Sequence, residues 1–211
     1  WGACQCGKSS GEESNMQRGS SLLMMRDIQY RCTVLKIVVT GDGGVGKTSL
    51  IRRYVSGCFN PSERITIGCD FYTKVLDTGY GHQYKFQIWD MGGQEQFRTL
   101  LPLWSKGLRG AMLTFDVGSI ESYLHLDEWL AMISNGETVK RFPVIVVGNK
   151  SELSNGSIRK SDLERYVAKR GLDAYYFVSA KDNIGVSIPF MGLLKLIMGY
   201  EDKYGGLEDG K

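Results

Sequence analysis

The sequence predicts an α/β fold: a mostly parallel, six-stranded sheet with helices on both faces, in a single domain. Three observations lead to this prediction. Short apolar runs alternate with helix-like segments between residues 31 and 200, the order expected when parallel strands are joined by helical crossovers. Most of the runs are apolar throughout, as in TVLKIVVT at 33–40 and PVIVV at 143–147, so both faces of the sheet are expected to be covered. The first run passes directly into a glycine-rich loop, GDGGVGKTSL at 41–50. A strand, loop and helix in that order place an anion at a helix N-terminus.

Along the chain, residues 1–30 are rich in Gly, Ser, Glu, Asn and Gln without a lasting period, and read as a disordered tail. The chain opens on Trp1 rather than Met, so Met24 and Met25 read as alternative starts. The β-branched run at 33–40 is the first strand, and 49–55 continues as a helix. Runs at 69–76 and 84–89, joined around Gly79 and Gly81, read as a hairpin. Residues 94–106 form a mixed helix-like stretch, and AMLTFDV at 111–117 a buried strand. Over 120–133, Leu124, Leu126, Trp129, Leu130 and Ile133 recur at near-helical spacing. A strand at 143–147 precedes a helix at 161–170, for which Ser161 and Glu164 have the spacing of a capping box. The last strand is 175–178, and 189–198 closes with an apolar helix whose Pro189 lies in or near the first turn. Residues 31–200 are therefore expected to be the folded unit, with a short polar tail at 201–211.

Composition narrows the function classes. The chain has 211 residues, 42% of them hydrophobic, and a formal charge of +3. That supports one core of ordinary size. The basic residues do not cluster into runs, which gives no case for nucleic acid as a partner. No apolar stretch approaches the roughly 18 residues of a membrane span. The cysteines, Cys4, Cys6, Cys32, Cys58 and Cys69, are odd in number and irregular in spacing. That argues against a disulfide framework and for a reducing, cytoplasmic setting.

The pattern G-x-x-x-x-G-K-[ST] occurs twice, at Gly2–Ser9 and Gly41–Thr48. Only the second follows a strand and opens a helix, so the first is read as chance. In the second, Gly41, Gly43, Gly44, Val45, Gly46, Lys47, Thr48 and Ser49 form the candidate phosphate site. Glycines let backbone N–H groups turn inward around an anion. Lys47 is placed to reach the β- and γ-phosphates, and the Thr48 hydroxyl to ligate Mg²⁺.

With TIGCDF, QIWDMGGQEQFRTL, GNKSEL and VSAK in order after this loop, the chain resembles the Ras superfamily of small GTPases, most closely the Rab-like branch, over about residues 34–198. The resemblance implies a Ras-like G domain that binds GTP or GDP with Mg²⁺. It implies that Phe59 packs against the guanine and that Thr66 ligates Mg²⁺ and senses the γ-phosphate. Asp90 would hold Mg²⁺ through water, Gly93 would meet the γ-phosphate through its N–H, and Gln94 would position the attacking water. Asn149, Lys150 and Glu152 would read the base, and Ser179, Ala180 and Lys181 would form the loop that covers guanine O6 with a backbone N–H. Effectors reading the two switches, a GTPase-activating protein and an exchange factor are implied in the same way.

The chain departs from the family pattern in three places. Glu152 stands where N-K-x-D has Asp; it keeps a carboxylate for guanine N1–H and N2–H₂ but adds a methylene. Gly92–Gly93 in switch II resembles the Arf branch rather than the usual D-T-A-G-Q. The chain ends LEDGK, with no cysteine after Cys69. If Trp1 stands at an initiator position, Gly2 resembles a myristoylation site with Cys4 and Cys6 as palmitoylation candidates, which would place the protein peripherally at a membrane.

The expected function is a GTP hydrolase acting slowly as a regulatory switch in trafficking or signalling. No arginine finger supplied in cis is evident from the sequence. The alternative readings are a nucleotide-bound, non-hydrolysing scaffold and a P-loop ATPase or small-molecule kinase.

Overall fold

The computed structural model describes residues 31–77, 82–93, 106–134, 142–153 and 157–204. Its core is a six-stranded sheet in the order β2-β3-β1-β4-β5-β6. The strands are β1 (Arg31–Thr40), β2 (Cys69–Asp77), β3 (His82–Met91), β4 (Gly110–Asp116), β5 (Val144–Asn149) and β6 (Ala174–Phe177). β2 pairs antiparallel with β3, and the other neighbouring pairs are parallel. The helices are α1 (Lys47–Ser56), α2 (Ile120–Leu124), α3 (Leu126–Ile133), α4 (Lys160–Arg170) and α5 (Ser187–Tyr204).

The apolar strands sort their side chains to two cores, as a sheet covered on both faces requires. Leu35, Ile37 and Val39 of β1, with Ile145 and Val147 of β5, pack against Leu50 and Ile51 of α1 and Phe190, Leu193 and Ile197 of α5. On the opposite face Val38, Leu113, Phe115 and Val146 meet Leu126, Trp129 and Ile133 of α3 and Leu163 of α4. The first core is tied by the ring of Tyr54 stacked on Phe190, with centroids 3.8 Å apart.

Several sequence expectations shift. The helix expected over 120–133 is two helices meeting at His125, where the amide of Glu128 bonds the His125 carbonyl at 3.0 Å in the tighter i→i+3 pattern. Leu124 lies on the outside of that turn, 66% exposed, rather than with the core positions. The capping box expected at Ser161 and Glu164 is displaced. α4 begins at Lys160, and the Asp162 carboxylate accepts the Arg159 N–H at 2.9 Å. The last helix runs past the expected end to Tyr204, with Pro189 in its first turn. The helix-like stretch at 94–105 lies outside the described residues, as do the tails at 1–30 and 205–211. Cys32, Cys58 and Cys69 are free thiols. Among the described residues no helix is long and apolar enough to cross a membrane.

Candidate functional site

β1, β3, β4 and β5 end on the same side of the sheet, and the chain crosses from one face to the other between β1 and β4. A crevice outside the carboxyl ends of parallel strands, at such a reversal, is where open α/β sheets bind ligands. A cavity of about 360 Å³ opens there. It is floored by Gly43, Gly44, Gly46, Lys47, Thr48 and Ser49. Phe59, Thr66 and Gly93 bound it on one side, and Asn149, Lys150, Glu152, Ala180 and Lys181 on the other. Of the remaining expected residues, Gly41, Val45, Asp90 and Ser179 stand behind this wall. Gln94 lies outside the described residues.

The floor is a loop shaped by its glycines. Gly46 is the N-cap of α1 with φ +90, a left-handed conformation that a side chain would disfavour. No side chain caps this helix, so the orphan N–H groups of its first turn remain to be satisfied at the cavity floor. Gly93 comes so close to the loop that a Cβ there would lie 2.2 Å from the Gly43 nitrogen and 2.3 Å from the Asp42 carbonyl carbon. The start of switch II can touch the phosphate loop only as glycine.

Lys47 is 5% exposed, and its Nζ donates to the carbonyls of Gly41 and Asp42, both at 2.7 Å. Burial lowers its pKa to about 8, against the pull of the Asp90 and Asp42 carboxylates. Beside it three oxygen-bearing side chains converge. The Thr48 and Thr66 hydroxyls are 2.7 Å apart, and Thr48 donates to Asp90 Oδ2 at 2.5 Å. Thr66 reaches the same oxygen at 3.5 Å. Asp90 is fully buried, and its Oδ1 has no hydrogen-bond partner among the described residues. Burial pushes its pKa up to about 6, opposed by the Thr48 hydrogen bond and by Lys47. Two hydroxyls and a carboxylate with an orphaned acceptor form an all-oxygen set that suits a hard divalent cation such as Mg²⁺.

The far wall is built from the ends of β5 and β6. Asn149 Nδ2 donates to the Val45 and Gly46 carbonyls at 3.0 and 3.2 Å, and its Oδ1 accepts the Ala180 N–H at 3.2 Å. One side chain therefore ties the phosphate loop to the loop after β6. In the loop expected to cover guanine O6 with a backbone N–H, the Ala180 N–H is engaged by Asn149. Lys150 holds φ +59, unusual for a residue with a Cβ, and pairs with Asp116 at 2.7 Å. Glu152 lies in the short 3-10 turn Ser151–Leu153, and its Oε2 is buried without a hydrogen-bond partner among the described residues. Ser179 accepts the Asp182 N–H at 2.9 Å and shapes the turn from behind.

Among the residues that brace this site, Arg53, Asp42 and Asp116 were not singled out in the sequence. Arg53 donates to the Ala180 and Lys181 carbonyls, both at 2.9 Å, and lies over the Phe59 ring at 5.5 Å. It braces both sides of the cavity's far end. Asp42 accepts Trp129 Nε1 and pairs with His125 Nδ1, both at 2.7 Å, binding the phosphate loop to α3. Asp116 anchors Lys150. All of these pairings join residues far apart in sequence, and no local pattern signals them.

Comparison with known proteins places these features in one group. The model of the Ras family matches residues 36–199. The Ras-related protein Rab-18 of Lymnaea stagnalis is 38% identical over 166 residues, 79% of this chain and 81% of that protein. Ras-related protein Rab-9A of Rattus norvegicus is 34% identical over 176 residues, 82% of this chain and 87% of its own. Ras-related protein Rab7 of Pisum sativum is 34% identical over 171 residues, covering 78% and 82%.

Proposed function

The chain belongs to the Ras family of small GTPases, and from that premise we propose that its cavity holds a guanine nucleotide with Mg²⁺ and hydrolyses GTP slowly, as a timed regulatory switch in trafficking or signalling. The observation that supports this most directly is the convergence of Thr48, Thr66 and Asp90 beside Lys47. Thr66 belongs to a segment without regular structure, yet its hydroxyl is drawn to the phosphate loop.

In this reading the N–H groups of the loop at 41–46 and of the first turn of α1 wrap the phosphates, and Lys47 leaves its carbonyls for the β- and γ-oxygens. Bound Mg²⁺ would be held by Thr48 and Thr66, with Asp90 acting through water, and would neutralise charge on the β- and γ-phosphates. Gly93 offers its N–H to the terminal phosphate, and Gln94 positions the attacking water. At the other end Phe59 covers the base, Asn149 and Lys150 frame it, and the orphaned Glu152 carboxylate accepts guanine N1–H and N2–H₂. The Ala180 N–H turns from Asn149 to guanine O6, with Ser179 and Lys181 holding that loop in place. Loss of the γ-phosphate releases Thr66 and Gly93, so effectors distinguish two states. An activating protein and an exchange factor act on the same segments.

Single-turnover hydrolysis tests the switch against a non-hydrolysing scaffold, the reading that the unusual Glu152 favours. Gln94→Leu is expected to keep GTP affinity and slow hydrolysis by at least about tenfold, 1.4 kcal/mol in the barrier. An unchanged rate would remove Gln94 from the chemistry and favour the scaffold.

A further inference from the structure

The cavity has a cation that the roles above do not use. Arg64 lines it, two residues before Thr66. It is exposed and, among the described residues, makes no hydrogen bond or ion pair. Its neighbours are otherwise engaged. Glu63 is paired with Arg52 at 3.1 Å, Lys150 with Asp116, and Lys47 with the loop carbonyls. The position of Arg64 is nonetheless fixed from one side, because Thr66 is held by Thr48 at 2.7 Å. Two residues of extended chain span at most about 7 Å, a distance a guanidinium can return across.

The space it would enter is open. A Cβ built on Gly43 meets no atom of the described residues within 4 Å, and Gly43 is not among the glycines with positive φ. Among the described residues neither packing nor backbone conformation requires glycine there, and Gly43 and Arg64 line the same cavity.

Given the guanine-nucleotide reading on which this rests, we propose that Arg64 is a catalytic residue supplied in cis, its guanidinium donating to the terminal phosphate and the β–γ bridging oxygen as GTP is hydrolysed. In that step the water oxygen bonds to the γ-phosphorus while the bond from that phosphorus to the bridging oxygen breaks. The electron pair stays on the bridging oxygen of GDP. One water proton remains on the released phosphate, and the other passes to solvent or to that phosphate according to pH. Charge grows on the oxygens that a planar, two-pronged donor can meet together, and a cation brought there by its own chain lowers the barrier without any partner protein. Because Arg64 lies in the segment that Thr66 anchors, the cation would be in place only while switch I is closed.

The test uses the full chain loaded with Mg²⁺ and nucleotide, without partner proteins. Arg64→Ala and Arg64→Lys are compared with wild type in single-turnover GTP hydrolysis, in GDP affinity, and in trapping of GDP with Mg²⁺ and fluoroaluminate, a mimic of the phosphoryl group in transfer. The expected result is a fall in hydrolysis of at least about tenfold for Arg64→Ala. Lys should recover little, since a point charge cannot bridge two oxygens. GDP affinity should be unchanged, and fluoroaluminate should be trapped by wild type alone. Hydrolysis and trapping by Arg64→Ala equal to wild type would overturn the assignment while leaving the nucleotide reading intact. Parallel loss of GDP and GTP affinity at an unchanged rate would also overturn it, making Arg64 a ground-state binding group. A wild-type chain that binds neither GDP nor GTP would overturn both readings.

Discussion

Single side chains decide the chemistry of this cavity, and two of them give direct tests. Lys47 is buried and, among the described residues, bonded to the loop carbonyls, acceptors that in the proposed function it exchanges for phosphate oxygens. Lys47→Ala removes charge-assisted hydrogen bonds of roughly 1.5–3 kcal/mol each, so GDP affinity is expected to fall by orders of magnitude in equilibrium titration. Lys8→Ala, in the chance match near the start of the chain, should leave affinity unchanged; an equal loss at Lys8 would contradict the choice of loop. Glu152 is the second test. Its orphaned Oε2 is a buried acceptor awaiting donors, and leaving such a group unsatisfied costs about 1–3 kcal/mol. Its longer side chain loses up to about 1 kcal/mol more rotamer entropy than Asp would. Glu152→Ala should loosen GDP sharply, and Glu152→Asp should match or tighten wild type. GDP binding that is indifferent to both changes would take Glu152 out of base recognition. Lys47, Thr48 and Glu152 were legible in the sequence because motif spacing places them. Arg64 was not, because no motif contains it and only the cavity shows it facing the same space.

At the scale of elements, the phosphate loop is held from outside as well as by its own glycines. Asp42 bonds Trp129 and His125 across to α3, a contact spanning 83 residues for His125 that no local pattern could reveal. The same contact accompanies the turn at His125 that divides the helix expected over 120–133. The hydrogen bond to Asp42 raises the His125 pKa above its ordinary value, with smaller help from the Asp42, Glu128 and Glu121 charges. The folded state therefore binds this proton more tightly than the unfolded chain does. The stabilisation is fully present below the ordinary histidine pKa and is lost as pH rises through the raised folded value. His125→Gln should accordingly lower Tm more at about pH 5.5 than at about pH 8.5; a Tm gap constant across that range would show that the pair contributes no titrating stability. Strands were the most legible elements, since apolar runs between glycines leave few alternatives. Helix ends were less so: Asp162 rather than Glu164 caps α4 because the helix starts earlier than Ser161 suggested.

For the whole molecule, the sheet order and the position of the cavity follow from one another. Strands that are apolar on both faces must be sandwiched by helices, and the crossover connections then bring the ends of β1, β3, β4 and β5 to one rim. That much was legible from the alternation of runs and from the loop after β1. The closing of the rim was not, because it depends on tertiary bonds between loops: Asn149 to the Val45 and Gly46 carbonyls, and Arg53 to the Ala180 and Lys181 carbonyls. In the proposed function this cavity selects a guanine nucleotide although Glu152 stands where N-K-x-D has Asp. Adenine would set a bare N1 lone pair against the Glu152 carboxylate and has no 2-amino donor to offer it. The most direct measurement is a titration of nucleotide-free protein with GDP and with ADP in the presence of Mg²⁺. GDP is expected to bind well over tenfold more tightly; ADP binding within about tenfold of GDP, a gap of only 1.4 kcal/mol, would rule out guanine selection.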